Sequence, residues 1–276
     1  MGRPDGRKVK SIPPFDKVIP YIMPQRYDAT NMMAVDFPYD ILMNYIGRRK
    51  QDGVVIPMMA CILAAYIRTV AQIPAINRFS ISKKIYARKG IWTSFVTLKE
   101  RDRGGEKPSA EETVVKLCFT GEETIDEVAR RVTEAIDENR KAATSNSMDK
   151  LLSSIFAVPL IPSFLVSLIK FADRRGWLPK SIIDASPFHT SVFFTNMASI
   201  RAYPIYHHLY EFGTTSCFIS LGVDINNRGK YQMKVCTDER CCNGATYVHA
   251  MHRFLKALRH PEQLEAPPEE VKEDVR

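Results

Sequence analysis

The sequence lacks most of the short motifs that announce a chemistry. It has no Gly-rich phosphate loop and no G-x-S-x-G elbow, so neither a cradled nucleotide nor a hydrolase serine is indicated. Its six cysteines, Cys61, Cys118, Cys217, Cys236, Cys241 and Cys242, form no CxxC pair. A structural zinc site is therefore not expected, and no metal is. No internal repeat is visible. The polar, proline-bearing N-terminus does not read as a signal peptide, so a reduced, cytoplasmic setting is expected. A long unbroken apolar run is also missing. Leu151–Ile169 is free of charge, but Pro159 and Pro162 interrupt it and four serines dilute it. A membrane span needs about 20 predominantly apolar residues. Two short apolar helices broken at the prolines are expected there, and a membrane partner is not.

What is present describes an ordinary globular chain. Of its 276 residues, 45% are apolar and 25% charged, enough for a core without disulfides. The formal net charge is +8. Basic residues gather at Gly2–Lys10 and at Arg48, Arg49 and Lys50, and are scattered elsewhere. No basic run is interleaved with aromatics, so nucleic acid is not expected as a partner. A phosphate-bearing ligand would suit the excess charge.

Hydrophobic periodicity outlines the elements. Residues 1–14 read as a flexible arm. Asp16–Met23 reads as strand-like, and Ala34–Phe37 as a short strand. Pro38–Arg49 and Met58–Ala71 read as helices, the second apolar on most sides and therefore buried on most sides. Phe79–Tyr86 and Ile91–Leu98 read as two strands around the turn Arg88-Lys89-Gly90. Lys99–Glu111 reads as a surface loop and Thr113–Cys118 as a strand. Gly121–Ala142 is the clearest amphipathic helix, with Ile125, Val128, Ala129, Val132, Ala135 and Ile136 on one stripe. Strands are expected at Thr190–Thr195, Thr215–Val223 and Lys230–Cys236. Ala245–Leu258 reads as a helix with Val248, Met251, Phe254, Leu255 and Leu258 inward. The tail is acidic and reads as frayed, and residues 266–276 are expected to be disordered. Helices mixed with many strands favour an α/β fold with a large mixed sheet.

The stretch Asp238-Glu239-Arg240-Cys241-Cys242-Asn243-Gly244-Ala245, followed by a helix and His260-Pro261, resembles one family signature. It is similar to the C-terminal motif of the chloramphenicol acetyltransferases and dihydrolipoamide acyltransferases. There a strand ends in His, three residues follow, then Asp-Gly and a helix. In that register Glu239 stands at the histidine, Asn243 at the aspartate and Gly244 at the glycine. Pro38–Arg49, Ile56–Ala71, Ile76–Phe79, Ile91–Val96, Phe193–Asn196 and Tyr203–Ile205 resemble other family segments in the same order. The resemblance covers about residues 15–265, with 100–185 matching only in order and length.

The resemblance implies a single domain over 15–265, a two-layer α/β sandwich that assembles as a homotrimer with its active site between subunits. An acyl thioester of coenzyme A, or of a lipoyl group, would meet a small-molecule hydroxyl, amine or thiol acceptor. The family's histidine is the general base, a Ser or Thr donates to the oxyanion, and the aspartate holds the loop through an ion pair. This chain departs from that pattern. Glu239 is a weaker base at its ordinary pKa of about 4.3, although burial can raise it. Asn243 can hydrogen-bond but not ion-pair. Tyr203 stands where the oxyanion donor falls, with Thr195 and Ser199 as nearer substitutes. His207 or His208 is a candidate replacement base. His208 with Glu211 also invites a metal reading, but two ligands make a weak site. Asn243-Gly244 is also a good turn pair that needs no chemistry, and Arg240 has Glu239 or Asp238 as partner. The first expectation is an acyltransferase with an atypical site. The competing one is a non-catalytic protein of the same fold, acting in ligand binding or assembly.

Overall fold

The computed structural model describes residues 3–98, 112–142, 161–224, 226 and 230–276. Six of its strands share one sheet, in the order β2 (Thr30–Asp36), β9 (Lys230–Asp238), β8 (Cys217–Asp224), β7 (Val192–Asn196), β5 (Ile91–Leu98) and β6 (Glu112–Phe119). The neighbours β5–β7 and β7–β8 are parallel and the other pairs antiparallel, so the sheet is mixed. A second, three-stranded sheet runs β1 (Gly6–Lys8), β4 (Lys84–Arg88), β3 (Arg78–Ile81).

Alternation along each strand sends one residue in two to each face. On one face Phe95, Val115, Phe194, Ile219, Leu221, Met233 and Val235 join the main core. Helices α3 (Met58–Gln72), α4 (Ile125–Ala142) and α7 (Gly244–Arg259) cover that face, and α2 (Tyr39–Gln51) packs beside them. Helix α3 is buried nearly all round because it lies among α4, α7 and the sheet. Helix α4 opens with a capping box. The Glu127 carboxylate accepts from the Thr124 amide at 2.7 Å, while Thr124 Oγ1 accepts from the Glu127 amide at 3.3 Å.

Four expectations need correcting. The segment read as strand-like is helix α1 (Pro14–Ile22). Phe15, Val18, Ile19 and Ile22 recur at helical spacing, and Pro14 sets φ at its first position. Phe79–Tyr86 is not one strand but the hairpin β3–β4, closed by Ser82 and Lys83, both with positive φ. Both termini are held. Arg3 is buried against Asp5 at 2.9 Å and Asp173 at 2.8 Å, and β1 pairs with β4. The tail returns over this sheet: Asp274 meets Arg78 at 2.6 Å, and the Ser11 amide donates to the Arg276 carbonyl at 2.7 Å. Arg3 and Asp274 thus pair within the fold rather than with water. Finally, Val248 is exposed, while Phe254, Leu255 and Leu258 are buried as expected.

The loop at Lys99–Glu111 and the first part of the apolar stretch lie outside the described residues. Its second part forms α5 (Ile161–Arg175), followed by α6 (Lys180–Ala185). Among the described residues no helix is long and apolar enough to cross a membrane.

Candidate active site

The loop from β9 to α7 is anchored at Asp238. Its carboxylate lies between two buried guanidinium groups, Arg26 at 3.3 Å and Arg240 at 2.8 and 2.7 Å. Arg26 also donates to the carbonyls of Tyr210, Ser80 (3.4 Å) and Gly213 (3.2 Å). Tyr247 Oη donates to the Asp238 carbonyl at 2.8 Å. Burial opposes the charge on Arg240, but Asp238 outweighs it and holds the guanidinium above its usual pKa. Arg240 therefore pairs with Asp238, not Glu239. The ion pair that the resemblance assigns to position 243 is made here by Asp238.

Asn243 has a different task. It is the N-cap of α7, accepting from the Thr246 amide and hydroxyl, each at 2.9 Å. Asn243→Ala is expected to lower stability by about 1 kcal/mol. Asn243→Asp should hold or slightly raise it, because a carboxylate caps as well and complements the helix dipole. Denaturant midpoints of the three proteins check both.

Glu239 sits between these anchors, half-buried, with its amide donating to the Ala29 carbonyl at 2.9 Å. Its carboxylate has no hydrogen-bond or ion-pair partner among the described residues. Cys241 and Cys242 are buried. Burial pushes the first thiol well above its usual pKa and the second up to about 12, so both stay neutral. Beside the loop opens a cleft of about 270 Å³ whose lining includes Arg26, Ser80, Lys83, Lys170, Glu211 and Arg240.

The other candidates lie along the second face of the sheet. After β7 a 3-10 turn (Met197–Ile200) sends the chain back antiparallel to β8. The Val223 amide donates to Ala202 at 3.0 Å, and the Ile205 amide to Ser220 Oγ at 3.3 Å. His207 stacks on Phe218 with ring centroids 3.9 Å apart. Its Nδ1 lies 2.8 Å from the His208 carbonyl, so that nitrogen carries the proton. Burial depresses its pKa. His208 and Tyr203 are exposed. Glu211 is occupied by the amides of Arg26 and Tyr27.

Strand register measures the separation of these groups. Thr195 pairs with Ser220, and Ser220 with Lys234. Lys234 precedes Glu239 by five residues, about 16 Å at 3.3 Å per residue. Phe218, under His207, pairs with Cys236, about 10 Å short of Glu239. One chain thus brings Glu239, Asn243 and the Arg26–Asp238–Arg240 cluster together at one sheet end. Thr195, Ser199 and Tyr203 gather towards the other. Arg26 was missed from the sequence: it stands 212 positions from Asp238, and no local pattern marks it.

No protein-family model and no curated protein matches the sequence. Solved structures do match its architecture. A probable dihydrolipoamide acetyltransferase from Listeria monocytogenes superposes with a TM-score of 0.54 at 13% identity, over 97% of this chain and 99% of the other. A chloramphenicol acetyltransferase gives 0.51 at 10%, over 92% and 98%. The complex of the X-domain and OxyB from teicoplanin biosynthesis gives 0.52 at 13%, over 99% of this chain and 52% of that one. The chain has the chloramphenicol acetyltransferase-like α/β fold, as the order of its motifs implied.

Proposed function

We propose that this protein transfers an acyl group from a thioester, of coenzyme A or a lipoyl group, to a small-molecule acceptor, with Glu239 as general base. One observation carries this reading. The loop is held by Asp238, Arg26 and Arg240 and presents a single unpartnered carboxylate at the register of the family's base. In the proposed reaction Glu239 takes the proton of the acceptor as its heteroatom attacks the thioester carbonyl. The tetrahedral oxyanion collapses and expels the thiolate, which takes the proton back from Glu239. A carboxylate is a weak base. A thiol, ordinarily near pKa 8.5, is therefore a better acceptor here than a hydroxyl or amine. Oxyanion donation by Thr195 or Tyr203 requires a second copy, since within one chain they stand too far from Glu239. A homotrimer with its sites between subunits, as the resemblance implies, supplies that copy. The cationic lining of the neighbouring cleft suits a phosphate-bearing donor.

A non-catalytic role is the second reading. It is favoured by Asn243 serving as a helix cap and by His207 lying neutral against Phe218. The likeness to the complex of the X-domain and OxyB from teicoplanin biosynthesis agrees with it.

Conversion of acyl-coenzyme A to coenzyme A, followed by chromatography against thiol, hydroxyl and amine acceptors, separates the two. Glu239→Gln is expected to lower turnover about 100-fold or more, with His208→Ala near wild type. Turnover that survives in Glu239→Gln removes the assigned base. A folded protein inert towards every acceptor supports the non-catalytic role.

A further inference from the structure

Helix α5 leaves an apolar surface uncovered by any described residue. Ser163–Leu168 is exposed on every side of the helix, with Phe164 at 72% and Leu168 at 52%. Phe171 and Trp177 (56%) continue the surface. A helix apolar around its circumference is normally buried in a core or in lipid.

The unpaired charges around it are of one sign, Lys180 being held by Asp184. Between Ser163 and Ile182 the exposed charged residues are Lys170, Arg174, Arg175 and Lys180. The acid among them, Asp173, is buried on Arg3. The Arg175 guanidinium lies 5.0 Å from the Phe171 ring and 5.9 Å from that of Trp177. Tryptophan and arginine placed in this way suit the headgroup level of a bilayer. The surface continues past the β3–β4 tip. Ser82 Oγ donates to the Arg174 carbonyl at 3.0 Å, and Lys83 Nζ lies 5.1 Å from the Tyr21 ring. Beyond it α1 exposes Phe15, Val18, Tyr21 and Ile22, beside Lys17 and Lys84.

From this arrangement we infer that α5, with Trp177, docks on the surface of an anionic phospholipid bilayer. Lys170, Asp173, Arg174 and Arg175 stand within the last two turns of the helix, so it lies along the surface rather than across it. Apolar side chains enter the acyl boundary while Lys170, Arg174 and Arg175 meet headgroup phosphates. Two copies meeting through this face would oppose like charges, which disfavours a self-interface. The inference does not require turnover of a thioester, although Lys83 and Lys170 also line the cleft beside the loop.

The test uses the full chain with vesicles of phosphatidylcholine alone and with one-third phosphatidylglycerol. Flotation at low salt is expected to recover about tenfold more protein with the anionic vesicles, and that excess should shrink at high salt. In a Trp92→Phe background the remaining tryptophan, Trp177, should shift its emission to the blue on binding. Phe164→Ser with Leu168→Ser should abolish flotation while far-UV circular dichroism stays unchanged, since both side chains are exposed. Absence of flotation with either vesicle overturns the inference. So does a fall in molecular mass by light scattering in the double variant without lipid, which would make this face an interface between copies. Acyl-coenzyme A conversion followed without vesicles reports on the acyl-transfer reading separately.

Discussion

Asp238→Ala is expected to lower the stability of the protein by about 3–5 kcal/mol, read as a fall in the denaturant midpoint at constant slope. The carboxylate is 1% exposed and neutralises Arg26 and Arg240, themselves 3% and 6% exposed. Removing it leaves two buried cations facing each other without an acid. Typical domains are stable by only about 5–15 kcal/mol, so the variant is expected to populate unfolded chains visibly. Arg240→Ala should cost less, because Asp238 keeps Arg26 and Arg26 keeps its carbonyl partners. Equal losses in the two variants would show that Asp238 is not the centre of the cluster. If Glu239 is the base, Arg240→Ala should also reduce turnover through the loop it no longer holds. Glu239→Gln should leave stability nearly unchanged.

Gly222→Ala is expected to be damaging as well, though less so, for steric rather than electrostatic reasons. A Cβ there would lie 2.1 Å from the Pro204 nitrogen and 2.6 Å from its Cα. Those atoms belong to backbone, which cannot rotate aside as a side chain can. The Tyr203–Ile205 segment must lift from β8, at a cost of about 1–3 kcal/mol. The lift also moves Tyr203 and loosens the Ile205 amide from Ser220. Protection of the Ile205 and Val223 amides against hydrogen exchange should fall more than that of α3, which the substitution does not touch. Unchanged protection at these two amides would show that the segment does not depend on close approach at Gly222.

The two predictions also mark where reading from sequence reaches its limit. Helices α2, α3, α4 and α7 were legible because each has its own apolar period or buried composition. The strands of the large sheet were legible as β-rich runs between turns. Helix α1 was misread because it is short and rich in the β-favouring Val18, Ile19, Tyr21 and Ile22, so composition outweighed period. The β3–β4 hairpin was missed because Ser82-Lys83 is an unusual pair for a turn with positive φ. The termini were misread because their charges look solvated until a partner 170 or more positions away is known, as Arg3 and Asp173 illustrate.

By itself the sequence determined the fold class, since the order of helices and strands and the spacing from Asp238 to Gly244 are local properties of the chain. It also placed Glu239 and Asn243 in the loop that joins the last strand to the last helix. Only the tertiary structure decided what those residues do. Asn243 caps a helix, Asp238 pairs with Arg26 and Arg240, and Glu239 is left with a free carboxylate. It also decided that Thr195 and Tyr203 stand far from Glu239 in the same chain, and that α5 is uncovered. The physical reason is common to all of these. Charge neutralisation, close approach and burial depend on which distant segments meet, and packing, not sequence spacing, selects them.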